Sequence, residues 1–320
     1  MKIPFAACAA PAAVPPLESP QRLCAALLLI AVFLPGCSIR TIAVKAVADA
    51  IADSGTTYAA DNDIALVGRA SPFGLKTTEA LLEEVPEHRE LLLAAARGFT
   101  QYAYVYIEQP ANAIEESDVR LAYAERTRAR HMYLRARDYG LRGLAATHPD
   151  ILKTIHRDPW AALSKTTADD VPLLYWTAAA WASAISLSKD DPALVVDLPA
   201  VEALIERAYE LDEAYDHGAI HIFLISYEMS QSGLRQGAPS RARQHFDRAL
   251  ELSDGLQAAP YVAFAEAVTI AEQNRLEYRH LLEKALVIDV DIKPEWRLAN
   301  LVMQRRARWL LAHTDDFFLE

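Results

Sequence analysis

Between Tyr58 and His313, apolar residues recur at alternating steps of three and four almost without interruption, and period-two alternation is nearly absent. Such spacing stacks apolar side chains on one helical face and leaves no pattern from which a sheet could be built. Leu92, Ala95, Phe99, Tyr102 and Tyr106 make one such face, and Leu174, Ala178, Trp181 and Ile185 another. Leu198, Val201, Ile205, Ala208 and Leu211 make a third. Only 11 glycines occur in 320 residues, on an alanine-rich background, which suits helix propensity and opposes a β-sandwich. Breakers fall between the runs, at Pro72, Pro86, Pro110, Pro149, Pro159, Pro192, Pro239, Pro260 and Pro294. Several follow an acidic, Asn or Ser residue, the punctuation expected where one helix stops and the next is capped. The segment reads as about ten to twelve helices joined by short loops, and the fold class as all-α.

Do the helices repeat? Ala242, Phe246 and Ala249 reproduce the small–large–small pattern of the second helix of a tetratricopeptide repeat (TPR). Val201, Ile205 and Ala208 form a degenerate copy, and Tyr278, Leu282 and Ala285 another. The steps between copies are 41 residues (208 to 249) and 36 residues (249 to 285), against about 34 in a regular array. Irregular TPR-like hairpins stacked into a compact α-solenoid fit this spacing. A bundle of unrelated hairpins is the alternative.

The other constraint lies at the N-terminus. Leu23 to Gly36 is an apolar run headed by Arg22 and closed by Leu34-Pro35-Gly36-Cys37. It is too short for a spanning helix, which needs roughly 20 apolar residues, and it has the length of a signal-peptide core. A cysteine at the cleavage point resembles the lipobox of bacterial lipoproteins, in which the thiol is acylated and becomes the new N-terminus. An ordinary cleaved signal with a cysteine nearby is the alternative. The lipoprotein reading divides the chain into a signal peptide (1–36), a lipidated tether (37–57) and a TPR-like helical domain (58–320). Ser38 follows the anchor where an aspartate would signal inner-membrane retention, so placement at the outer membrane is expected.

Cys8 and Cys24 both lie in the part that would be removed, which leaves the mature chain without a disulfide or a free thiol. Its stability must then come from its core. Removing residues 1–36 takes away Lys2, Arg22 and Glu18 and changes the net charge from -11 to -12. So acidic a chain does not suit nucleic acid, nor adhesion to anionic lipid through a basic patch.

Residues arranged for chemistry are few. His217 and His221 stand at i and i+4, but Gly218 occupies the place of a general base and no third ligand follows at metalloprotease spacing. No metal, cofactor or catalytic group is expected. Acidic pairs such as Asp169-Asp170, Asp190-Asp191 and Asp315-Asp316 fall at helix boundaries, where carboxylates cap exposed N–H groups. The run Arg126, Arg128, Arg130, Arg135 and Arg137 reads as a solvated face or a partner contact. Tyr102, Tyr106, Tyr175, Trp176 and Trp181 admit two readings, ordinary core or the lining of an apolar groove or pore. With His217 and His221 they are the candidate lining residues.

Five stretches together resemble the T-component of tripartite ATP-independent periplasmic (TRAP) transporters. They are Ser71-Pro72-Phe73-Gly74-Leu75-Lys76 with Glu79-Ala80-Leu81-Leu82, Gly98 to Tyr104, Asp170 to Trp176 with Ala180-Trp181, Tyr215 to His221, and Arg297-Leu298-Ala299-Asn300 with Arg306-Ala307 and the Asp315 to Phe318 tail. The resemblance implies a non-enzymatic, periplasm-facing lipoprotein of cryptic TPR-like pairs that associates with a solute-binding protein of the transporter. It further implies a ring-like homotrimer with an apolar pore, and a part in handing over hydrophobic or organic-acid ligands. A TPR lipoprotein of cell-envelope assembly is the alternative function.

Overall fold

The computed structural model describes residues 44–50, 55–231, 233 and 236–319. Cys37 and the leader lie outside the described residues. Among the described residues every regular element is helical, which bears out the all-α reading. The long helices are α1 (Ile64–Glu84), α2 (Arg89–Ala103), α3 (Val119–Ala145), α4 (Val171–Ser186) and α5 (Leu198–Leu211). They continue with α6 (Tyr215–Ser230), α7 (Ala238–Leu252), α9 (Arg275–Leu286) and α10 (Arg297–Ala312), with the short α8 (Ala259–Phe264) between α7 and α9.

Local chemistry sets most boundaries. Asp63, Asp118 and Asn274 each accept a hydrogen bond from a backbone N–H three residues on, which starts α1, α3 and α9. Pro159, Pro192, Pro239 and Pro260 sit in the first turn of their helices, where a missing N–H costs nothing. Two prolines expected to break helices do not. Pro72 lies inside α1. Its side of the helix is exposed, so water can serve the carbonyl left without its donor. Pro110 lies inside a helical run that continues from α2 through a π-helical turn, Tyr104–Glu108, into Gln109–Ile114.

Packing proceeds between neighbours along the chain, with α3 against α2 and α4, α5 against α4, and α7 against α6. Each small–large–small triplet is buried: Val201, Ile205 and Ala208, then Ala242, Phe246 and Ala249, then Tyr278, Leu282 and Ala285. The core is correspondingly divided, one cluster around Leu144, Leu173, Trp181 and Ile205, another around Phe246, Phe264, Tyr278 and Leu310. Residues 44–50 add a helix whose Ala48 is buried beside Leu82 and Leu92. Close approach depends on a missing side chain at Gly140, where a Cβ would stand 2.1 Å from Thr177 Oγ1 on α4.

The end of the stack returns to its beginning. Arg297 Nη1 donates to the Ala60 carbonyl at 2.7 Å, and Arg305 Nη2 to the Val105 carbonyl at 2.9 Å. That return forms the walls of the candidate site.

Candidate functional site

Two π-helical turns face a common cleft. The first, Tyr104–Glu108, interrupts the run that leaves α2; the second, Ala265–Thr269, continues α8. A π turn carries an extra residue per turn and re-aims the side chains on either side, which is why such turns recur at functional sites. Here the first turn supplies Tyr104 and Glu108 to the cleft, and the second supplies Glu266 and Ala267. Gln109 and Asn112 follow the first turn, and Arg306 comes from α10. Ile222, Val262, Ala263 and Met303 form the apolar part. The cleft holds about 480 Å³, within the range of small-molecule sites.

Pro110 explains part of this geometry. In the π register Gln109 N–H reaches the Tyr104 carbonyl, five residues back. The next donor in that register would be the N–H of residue 110, which proline lacks. The Val105 carbonyl is therefore left open, and Arg305 fills the place. The same Nη2 reaches Gln109 Oε1 at 3.0 Å. A guanidinium can only donate, so this contact fixes the Gln109 amide with its oxygen towards Arg305. Its nitrogen then points away and makes no hydrogen bond, although Gln109 is only 7 % exposed. The Tyr104 hydroxyl lies nearby, on the same wall of the cleft.

The polar wall is tightly coupled. Arg306 Nη2 pairs with Glu266 Oε1 at 2.6 Å, and its guanidinium lies 4.4 Å from the Trp309 ring centre. Tyr133 donates to Glu108 Oε2 at 2.5 Å. Burial raises the Glu108 pKa from its ordinary value, and the Tyr133 hydrogen bond only partly offsets it. Burial, then the nearby Glu266 charge, pushes the Tyr104 phenol well up. Arg306 is penalised by burial yet held firmly protonated by Glu266. The wall thus offers a neutral phenol, an amide donor and a carboxyl group whose pKa burial raises, opposite an apolar surface. Such a surface suits a ligand with an apolar body and a hydrogen-bonding end.

None of the seven residues singled out by sequence lines this cleft. Tyr102 and Tyr106 stack on each other (ring centres 5.5 Å apart), and Tyr106 donates to the Ile64 carbonyl at 3.0 Å. Tyr104, between them, is the one that the π turn directs into the cleft. Trp181 is fully buried in the core, with Arg137 over its face at 5.1 Å. Tyr175 packs edge-on against Trp176 and beside Tyr215. His217 and His221 do not share a face. Asp216, His217 and Gly218 all have left-handed backbone angles, and His217 packs against Trp296. Gly218 is needed there, since a Cβ would stand 3.1 Å from the Ala249 backbone. His221 is buried and bonds instead to Glu213 (3.0 Å) and His245 (2.9 Å). The signal in the sequence that bears on this cleft is Pro110, four residues after Tyr106, which forces the register change at the first π turn.

Other sequence features resolve into internal pairing. Asp170 closes a capping box and accepts from Arg89 at 2.7 Å, with His148 Nε2 at 3.0 Å from its other oxygen. In the arginine run, Arg126 pairs with Glu115, Arg128 with Glu125 and Arg135 with Glu79. No helix among the described residues is long and apolar enough to cross a membrane.

The described residues form an all-helical body with a cleft of small-molecule size. Residues 60–318 match the TRAP transporter T-component family, and the chain belongs to it. An uncharacterised protein of Treponema pallidum (strain Nichols) is 27% identical over 317 residues, which covers 93% of this chain and 98% of that protein. The family is a non-catalytic one, and its membership ties the chain to a TRAP transporter.

Proposed function

We propose that this T-component is a non-enzymatic lipoprotein, anchored through Cys37 on the periplasmic side of the outer membrane, that docks a TRAP solute-binding protein and assists uptake of its ligand. The observation that carries this reading is the family match, which spans almost the whole helical body that encloses the cleft. The cleft's mixed lining favours a small organic ligand with both apolar and hydrogen-bonding parts. Assembly as a homotrimer belongs to the same proposal and is read by light scattering of the purified protein.

Size-exclusion chromatography of the protein with the solute-binding protein of its own transporter tests the docking. Co-migration at micromolar concentration is expected; separate elution would sink the proposal. Palmitate labelling tests the anchor, with label expected on the wild type and lost in Cys37→Ser. An unlabelled wild type would remove the anchor from the account.

A further inference from the structure

We propose that Glu116, His313 and Asp316 form a binding site for a divalent transition metal of the zinc type. Glu116 lies in the turn after Gln109–Ile114, His313 directly follows α10, and Asp316 belongs to the short helix Thr314–Phe317. One donor atom from each lies within 4.8 Å of the other two. Far apart in sequence, the three meet because α10 returns to the start of the stack.

The imidazole is already prepared as a ligand. His313 Nδ1 lies 2.7 Å from the Trp309 carbonyl, and a carbonyl can only accept. The proton is therefore on Nδ1, and the Nε2 lone pair is the one that this ring can give. A backbone carbonyl holding the far nitrogen is the arrangement that fixes tautomer and orientation in metal-bound histidines. The ring is further held by stacking on Trp309, with centres 4.3 Å apart and planes inclined by 23°. Asp315, next door, is paired with Arg275, whereas the carboxylates of Glu116 and Asp316 have no hydrogen-bonding partner among the described residues.

The spacing suits an ion. Atoms at the corners of a 4.8 Å triangle lie about 2.8 Å from its centre, so with separations within 4.8 Å each needs to move in by at most roughly 0.7 Å to reach a zinc bond length. One imidazole nitrogen with two carboxylates fits a borderline cation better than calcium, which takes six to eight oxygens. Water would complete the tetrahedron. Glu116 stands just beyond Asn112 on one cleft wall, and His313 two turns beyond Arg306 on the other. The ion would thus tie the two walls together at one end, across the seam that Arg305 already bridges. This inference does not depend on the docking proposal.

Calorimetric titration of ZnCl2 into the tag-free mature protein tests it, with thermal melting as a second readout. One zinc per chain at micromolar affinity and a raised Tm are expected. The double variant Glu116→Gln, Asp316→Asn changes only exposed side chains and should keep its fold while losing at least tenfold in affinity. His313→Gln should lose as much, and His245→Gln, in the separate His221–His245 pair, should bind as the wild type does. No binding by the wild type up to about 100 μM, or unchanged affinity in the double variant, would overturn the proposal.

Discussion

Pro110 has no N–H to give, and the Val105 carbonyl that would have received it is served by Arg305 from the far end of the chain. One guanidinium thereby satisfies a π turn, orients Gln109 and joins the last long helix to the first helices. Arg305→Met leaves a carbonyl and an amide oxygen without their donor, at an expected cost of about 1–3 kcal/mol; urea unfolding reads it. Glu108 carries a second expectation. Burial raises its folded pKa above the usual 4.5, so the stability it contributes is present at low pH and lost as pH rises through the folded value. Glu108→Gln keeps an acceptor for Tyr133 and removes that loss. At pH 7 its Tm should exceed the wild type's, and the gain should shrink away as pH falls to the unfolded value of 4.5. A gain that persists at low pH would show that ionisation is not its cause.

At the scale of elements, α6 and α7 meet through histidines. Burial lowers the pKa of His221 despite its Glu213 partner, and burial with the His221 charge lowers that of His245 to about 4. A depressed histidine contributes stability above the unfolded value of 6.5 that is lost as pH falls towards the folded one. The wild type should therefore weaken between pH 6.5 and about 4, and His245→Gln should flatten that slope in denaturant midpoints. An unchanged slope would place the acid sensitivity elsewhere. These elements also show what the sequence makes legible. Periodicity reports which face of a helix is buried, and the three small–large–small triplets, with Trp181, went where it pointed. It does not report register defects. Pro72 and Pro110 read as breaks because the loss of one N–H is a local fact, whereas the helices continue through solvent exposure and a distant arginine. Steps of three and four select Tyr102 and Tyr106 over Tyr104 because they assume 3.6 residues per turn, which the π turn abandons. His217 and His221 looked like neighbours for the same reason, before a left-handed stretch separated them.

For the whole molecule, an all-α body with caps and short loops could be read from sequence, since both arise from contacts near in the chain. The cleft could not, because its walls come from residues 104–112, 222–226, 259–267 and 303–306 and exist only when α10 closes on the beginning of the stack. Family membership gives that closed body a role in TRAP transport, and the central claim is that the cleft between the two π turns serves it. Uptake of the ligand of the cognate solute-binding protein, measured in cells lacking this chain, tests the claim most directly. The wild type should restore uptake, and Ala263→Phe, which fills the apolar wall, should fail to restore it while melting as a folded protein. Full uptake with the filled cleft would contradict the account.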